Sequence, residues 1–147
     1  MVWLLLLIAF TAGALMPVQA GVNAGLRTVV GHPILAAIFQ FSVGMSLLIV
    51  ILMVTRPALP TWGRLAAAPW WVWTGGLCGA IYIISTIILA PRLGAATLIG
   101  VSVTGQLLMS LVLDHYGFVG YPVHPVNAWR IVGAGLLLAG LRLIQRF

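Results

Sequence analysis

The chain has 147 residues, of which 63% are apolar and only 5% are charged, and its mean hydropathy is +1.19. Because an ordinary soluble domain carries about 25% charged residues, this composition excludes a soluble globular domain and predicts an all-α integral membrane protein. The net charge of +6 comes from seven arginines and one acid, Asp114, and the arginines are scattered singly, so no nucleic-acid partner is expected.

The first predicted span covers residues 2–27, since about 18 consecutive apolar residues suffice to cross a membrane. The stretch MPVQAG at 16–21 also looks like a signal-peptidase site. However, no basic side chain precedes the apolar run, and the apolar pattern resumes after the stretch, which favours a membrane helix. Gln19, Asn23 and Arg27 are four residues apart, so they lie on one face of that helix.

Four more spans complete a single transmembrane domain over residues 1–147: 34–55, 70–90, 94–113 and 127–146. The second span follows Gly31-His32-Pro33, which places a proline in the first helical turn. Residues 91–93 are predicted to form a tight turn between the third and fourth spans. The fifth has an uninterrupted apolar core only over 131–141, but Arg130 and Arg142 can extend their charges toward the interfaces.

The arginines are divided almost evenly between the two sides of the membrane that five spans define. Four lie on the side of the C-terminus and three on the other: Arg27, Arg92, Arg142 and Arg146 against Arg56, Arg64 and Arg130. Because the Lys/Arg bias of short loops sets orientation, so small a bias predicts dual topology, with copies inserted both ways. Such copies can pair as an antiparallel homodimer of ten helices with inverted-repeat symmetry. The alternative is one fixed orientation set by a single dominant arginine.

Polar side chains within the spans are the candidates for a solute site. Along the fourth span, four of them recur every four residues and form one stripe that ends at Asp114. The predicted substrate-binding residues are Gln19, Asn23, Gln40, Tyr82, Ser102, Gln106 and Ser110. The structural alternative is that they join helices to one another, at about 0.6 kcal/mol per interaction. For the serines we favour that alternative, whereas large amides are harder to hide from lipid.

No carboxylate lies in the middle of a span, where a proton-coupled exporter usually has one. Asp114 lies at a helix end, where we expect it to gate or cap the pathway, or to pair with an arginine. The histidines His32, His115 and His124 are too scattered for a metal site, and Cys78 is the lone cysteine. No metal, cofactor or enzymatic activity is therefore expected.

Three motifs resemble a known family: Gln19-xxx-Asn23, Gly31-His32-Pro33 and GQLLMSLVLDHYG at 105–117. They are similar to the small five-helix YdcZ-like family of the drug/metabolite transporter superfamily. That resemblance implies a multi-pass protein of the bacterial inner membrane that works as an antiparallel dimer, either with itself or with an oppositely oriented paralogue. It also implies functional roles for Gln19, Asn23, Gln106 and Asp114.

The sequence thus predicts a secondary transporter or exporter of a small polar or amphipathic solute that works by alternating access. Its predicted partners are the lipid bilayer, the solute and a second copy of the chain. Two alternatives remain open. A narrow channel for a small ion or neutral solute would give flux without saturation or counter-exchange, and a non-transporting accessory subunit would co-purify with a larger membrane protein.

Overall fold

The computed structural model describes residues 2–146, and its ordered elements are all helical. Six α-helices follow one another along these described residues: α1 (Val2–Val30), α2 (Pro33–Thr55), α3 (Trp62–Ala66), α4 (Gly75–Leu93), α5 (Ala95–Tyr116) and α6 (Ala128–Arg146). Short 3₁₀ turns at Trp70–Thr74 and Phe118–Gly120 precede α4 and follow α5. Within the described residues, five helical segments are long and apolar enough to cross a membrane, which confirms the predicted number of membrane helices.

The connection between the first two spans forms as the sequence predicts. Gly31 has a positive φ of 77°, in the left-handed region that glycine adopts readily. His32 is the N-cap of α2, where its Nδ1 accepts a hydrogen bond of 3.3 Å from the backbone N–H of Ile34. Pro33 occupies the first helical position, where its missing N–H has no cost because that position has no intrahelical acceptor.

The prediction of a tight turn at 91–93 was wrong. Those residues form the last turn of α4, and Pro91 lies inside the helix. The helical conformation is interrupted one residue later, at Gly94. Its φ of 76° and ψ of 162° fall in a region that is essentially restricted to glycine. The special backbone conformation therefore determines where the helix ends, and the proline does not.

The chain divides into two compact units. The central unit is Val18–Arg92, and the terminal unit comprises residues 1–17 and 93–147. In the central unit, Ala36 and Ala37 of α2 are buried in one cluster with Ile83 and Ile87 of α4. Alanines in such a contact let two membrane helices approach closely.

In the terminal unit, α5 packs against α6 along a contact that depends on a glycine. A Cβ on Gly100 would lie 2.6 Å from Cδ1 of Leu141, so only a glycine admits the leucine in its present rotamer. Most large apolar side chains outside these contacts are exposed in the single chain, which includes nearly the whole length of α2. A protein in lipid has this distribution, because the acyl chains cover the apolar helix faces.

Candidate functional site

The central unit contains a buried amide on α1. Asn23 is 2% exposed, and its Nδ2 has no hydrogen-bond partner among residues 2–146. Gln19 lies one turn earlier on the same face and is half-buried. Of the residues with the predicted four-residue spacing, Asn23 therefore has a buried side chain whose Nδ2 lacks a partner among residues 2–146.

A second amide lies on α2 and lines the same groove. Oε1 of Gln40 is buried and also lacks a hydrogen-bond partner within the part of the chain that the structure describes. Asn23 and Gln40 both contribute to a groove between α1 and α2 with a volume of about 430 Å³. We call it the amide groove. Its other lining residues are Val22, Leu26, Val30, Phe39 and Val43.

The two amides present complementary chemistry. Nδ2 of Asn23 is a donor and Oε1 of Gln40 is an acceptor, and neither side chain is charged. Turning either amide by 180° exchanges its two ends but leaves an amide in the groove. A buried donor or acceptor without a partner costs about 1–3 kcal/mol, and hydrocarbon offers no water that could replace the partner. The groove is therefore polar at two points and apolar elsewhere.

Gln40 also lines a second groove on the other side of α2. This groove, of about 620 Å³, lies between α2 and α4. Its lining includes Gly44, Gly76 and Ala80, whose small side chains leave room between the two helices. Tyr82 lies further along α4 and packs against the alanine–isoleucine cluster. Gln40 thus lines both of these grooves.

Serine and threonine hydroxyls in the spans differ from the amides. The hydroxyl of Ser85 donates to the carbonyl oxygen of Ile81 at 2.7 Å, and that of Ser110 donates to the carbonyl oxygen of Gln106 at 2.8 Å. The hydroxyls of Thr86 and Thr104 bond within their own helices in the same way. Their donors are satisfied locally, as is common for hydroxyls in helices.

The terminal unit holds an ion pair at the end of α5. Nη1 of Arg130 lies 3.2 Å from Oδ2 of Asp114, and both side chains are about one-third exposed. The same Nη1 donates to the carbonyl oxygen of His124 at 3.0 Å. The sequence predicted an arginine partner for Asp114 as one alternative, and the structure identifies the residue. Ser110, Asp114 and Arg130 line a groove of about 350 Å³ between α5 and α6.

The loop between α5 and α6 is held by further hydrogen bonds. The backbone N–H of His124 donates to the carbonyl oxygen of Asp114 at 2.8 Å, and that of Val126 donates to Nδ1 of His115 at 3.1 Å. Oδ1 of Asn127 accepts from the backbone N–H of Arg130 and caps the start of α6. These loop contacts were not predicted from the sequence, although the polar side chains of Asp114, His115, His124 and Asn127 were a signal for them.

The family model described as "Putative inner membrane exporter, YdcZ" matches residues 4–143. The chain belongs to the YdcZ family. It is 30% identical, over 138 residues, to the inner membrane protein YdcZ of Escherichia coli (strain K12), with 85% of this chain and 91% of that protein covered. No solved structure matches. This assignment confirms the resemblance and, with the five apolar helices, makes the chain a multi-pass inner-membrane protein.

Membership of the YdcZ family also fixes the broad class of function. The description of the family is that of an exporter, which is a membrane transport function and not an enzymatic one. The structure adds where the predicted residues lie within each unit. It brings Asn23 and Gln40 together in the central unit, and Ser110 and Asp114 together in the terminal unit.

The remaining predicted residues of this YdcZ-family chain are distributed over both units. Gln19 and Tyr82 belong to the central unit, and Ser102 and Gln106 belong to the terminal unit. Ser102 is half-buried on α5, whereas Gln106 is exposed. That all of these residues contribute to one solute site stays a prediction.

Proposed function

We propose that this YdcZ-family chain exports a small polar or amphipathic solute by alternating access, as a dual-topology antiparallel dimer. The observation that carries the proposal is the pair of unpartnered amides, Asn23 and Gln40, on one groove inside the membrane-spanning part of the chain. An unpaired buried polar group costs stability, so a site that keeps two of them is expected to use them.

The proposed dimer rests on the charge distribution. If each of the five apolar helices crosses the membrane once, four arginines lie on the side of the C-terminus and three on the opposite side. With so little bias, the translocation machinery has almost no preference between the two insertions. Two oppositely inserted copies would give ten spanning helices and an approximate two-fold axis in the membrane plane, which is the plan of many alternating-access transporters.

The remaining predicted residues keep proposed roles. Asp114 is proposed to gate or cap the pathway near one membrane face, because its only described ion-pair partner, Arg130, lies at a helix end. The other proposed contributors to solute binding are Gln19, Tyr82, Ser102, Gln106 and Ser110. The proposed mechanism uses no cofactor and relies on uncharged hydrogen-bonding groups of the chain.

Orientation of the C-terminus tests the dimer. Cys78 is exposed, so it is first replaced by alanine, and one cysteine is then added after Phe147. Intact cells are labelled with a membrane-impermeant maleimide, and permeabilised cells give the total. Labelling of about half the copies is expected. Labelling of all or none would refute dual topology and point to an oppositely oriented paralogue as the second half.

A further inference from the structure

The amide groove contains no charged side chain among its lining residues. Five of the seven are apolar, and the other two are Asn23 and Gln40. The nearest charge along α1 is Arg27, one turn beyond Asn23, and it is not part of the lining. A charged solute that entered this groove would lose its hydration without gaining a counter-ion, which is strongly unfavourable.

From these observations we infer that the amide groove recognises an uncharged solute that carries a hydrogen-bond acceptor and a donor on an otherwise apolar body. The acceptor of the solute bonds to Nδ2 of Asn23, and its donor bonds to Oε1 of Gln40. Carboxamides, lactams and ureas have this combination. The inference rests on the proposed export function and adds the chemical class of the solute.

Three independent features of the groove agree with this class. Asn23 is almost fully buried, so bulk solvent does not compete for its free donor. The free acceptor on Gln40 belongs to a different helix, so the two groups hold a solute between α1 and α2. Val22, Leu26 and Phe39 supply the apolar wall.

The test uses three probes that share one ring. Nicotinamide is an uncharged carboxamide, nicotinate is the corresponding carboxylate, and 1-methylnicotinamide keeps the carboxamide but carries a positive charge. Binding to the full chain in lipid nanodiscs is measured by saturation-transfer NMR titration. We expect nicotinamide to bind at millimolar concentration and both charged probes to bind at least tenfold more weakly, a difference that corresponds to about 1.4 kcal/mol.

Two variants and a control connect this binding to the groove. Asn23→Leu and Gln40→Leu each remove one hydrogen-bonding group at similar volume, and each is expected to weaken nicotinamide binding at least tenfold. Ser42→Ala is the matched control, since the Ser42 hydroxyl bonds to the carbonyl oxygen of Ile38 in its own helix α2. The Ser42→Ala variant should bind nicotinamide with the same affinity as the unmodified chain.

Several outcomes would overturn the inference. They are absence of nicotinamide binding, equal or tighter binding of a charged probe, and loss of the dimer in Asn23→Leu, which would show that the amides pair across a protein interface.

Counter-exchange of solute in proteoliposomes separates the inference from the export proposal. Nicotinamide binding without exchange upholds the recognition and contradicts export. Exchange of a charged probe that Asn23→Leu abolishes upholds export and refutes the uncharged class.

Discussion

The amide groove and the connection between α5 and α6 are both polar regions of an apolar chain, but they differ in how their polar atoms are paired. In the connection, Asp114, His115 and Arg130 are all engaged with a side chain or the backbone. In the groove, Asn23 and Gln40 each present a buried atom without a partner among the described residues. Paired groups hold a loop in place, whereas the unpaired groups are the ones that we propose bind the solute.

The helix environments explain this difference. The α5–α6 connection contains backbone groups that no helix satisfies, so polar side chains placed there find carbonyl and N–H partners nearby. The amides lie within helices, where the backbone is already hydrogen-bonded, and their free atoms do not bond to it as the serine and threonine hydroxyls do. A buried amide atom that finds no partner in its own helix must find one on another helix or on a solute.

The largest expected effect on stability is at Gly117, which starts the connection. Its φ is 65°, and a Cβ there would lie 2.7 Å from Cγ2 of Val123 and 3.3 Å from the carbonyl oxygen of Tyr121. Gly117→Ala should lower the free energy of unfolding by about 1–2 kcal/mol through the left-handed conformation, and by about 1–3 kcal/mol more through the collision. Thermal unfolding in detergent measures the loss.

Gly120→Ala is the matched control for that substitution. Gly120 also has a positive φ, 84°, but a Cβ there would meet nothing within 4 Å. Only the conformational cost should appear, so Gly120→Ala should be clearly more stable than Gly117→Ala. Equal losses of unfolding free energy in the two variants would mean that the connection rearranges to accommodate the added methyl group. The connection would then be less rigid than its hydrogen bonds imply.

The next effect has the opposite sign and concerns the groove. Asn23→Leu replaces a buried, unpaired amide by an apolar side chain of similar size, so it should raise the free energy of unfolding by about 1–3 kcal/mol. The same variant should lose solute binding, which is the exchange of stability for function expected at a binding site. Thermal unfolding without added solute is the appropriate measurement. A lower stability would indicate that Asn23 is satisfied in the membrane by a protein partner, and would contradict the contrast between the two regions.

The smallest effect is at the ion pair. Asp114→Asn keeps an acceptor for Arg130 but removes the charge, and the pair is partly exposed, so the expected loss of stability is about 0.5–1 kcal/mol. The difference from the unmodified chain should narrow as salt is added, because screening weakens the exposed pair. A double-mutant cycle with Arg130→Gln provides the control. If Asp114→Asn costs as much in that background, the stabilisation does not come from this pair.

The sequence by itself determined the number of spans and the start of the second. Apolar runs of about 20 residues have the length that a helix needs to cross a bilayer, and a helix satisfies its own backbone hydrogen bonds there, so hydropathy alone predicts five helices. The cap at His32 is also local, since its side chain accepts from the backbone N–H of Ile34, two residues later. The motifs that resemble the YdcZ family likewise lie in the sequence itself.

The tertiary structure decided which polar residues are paired. The spacing of polar residues in the first span does not distinguish Gln19 from Asn23. The packing of α1 beside α2 does, because it buries Asn23 on a groove that Gln40 also lines. Likewise, Arg130 is sixteen residues from Asp114 and becomes its partner because the loop between them folds back. Periodicity assigns a residue to a face of its own helix, whereas the partner on another helix depends on how the helices pack.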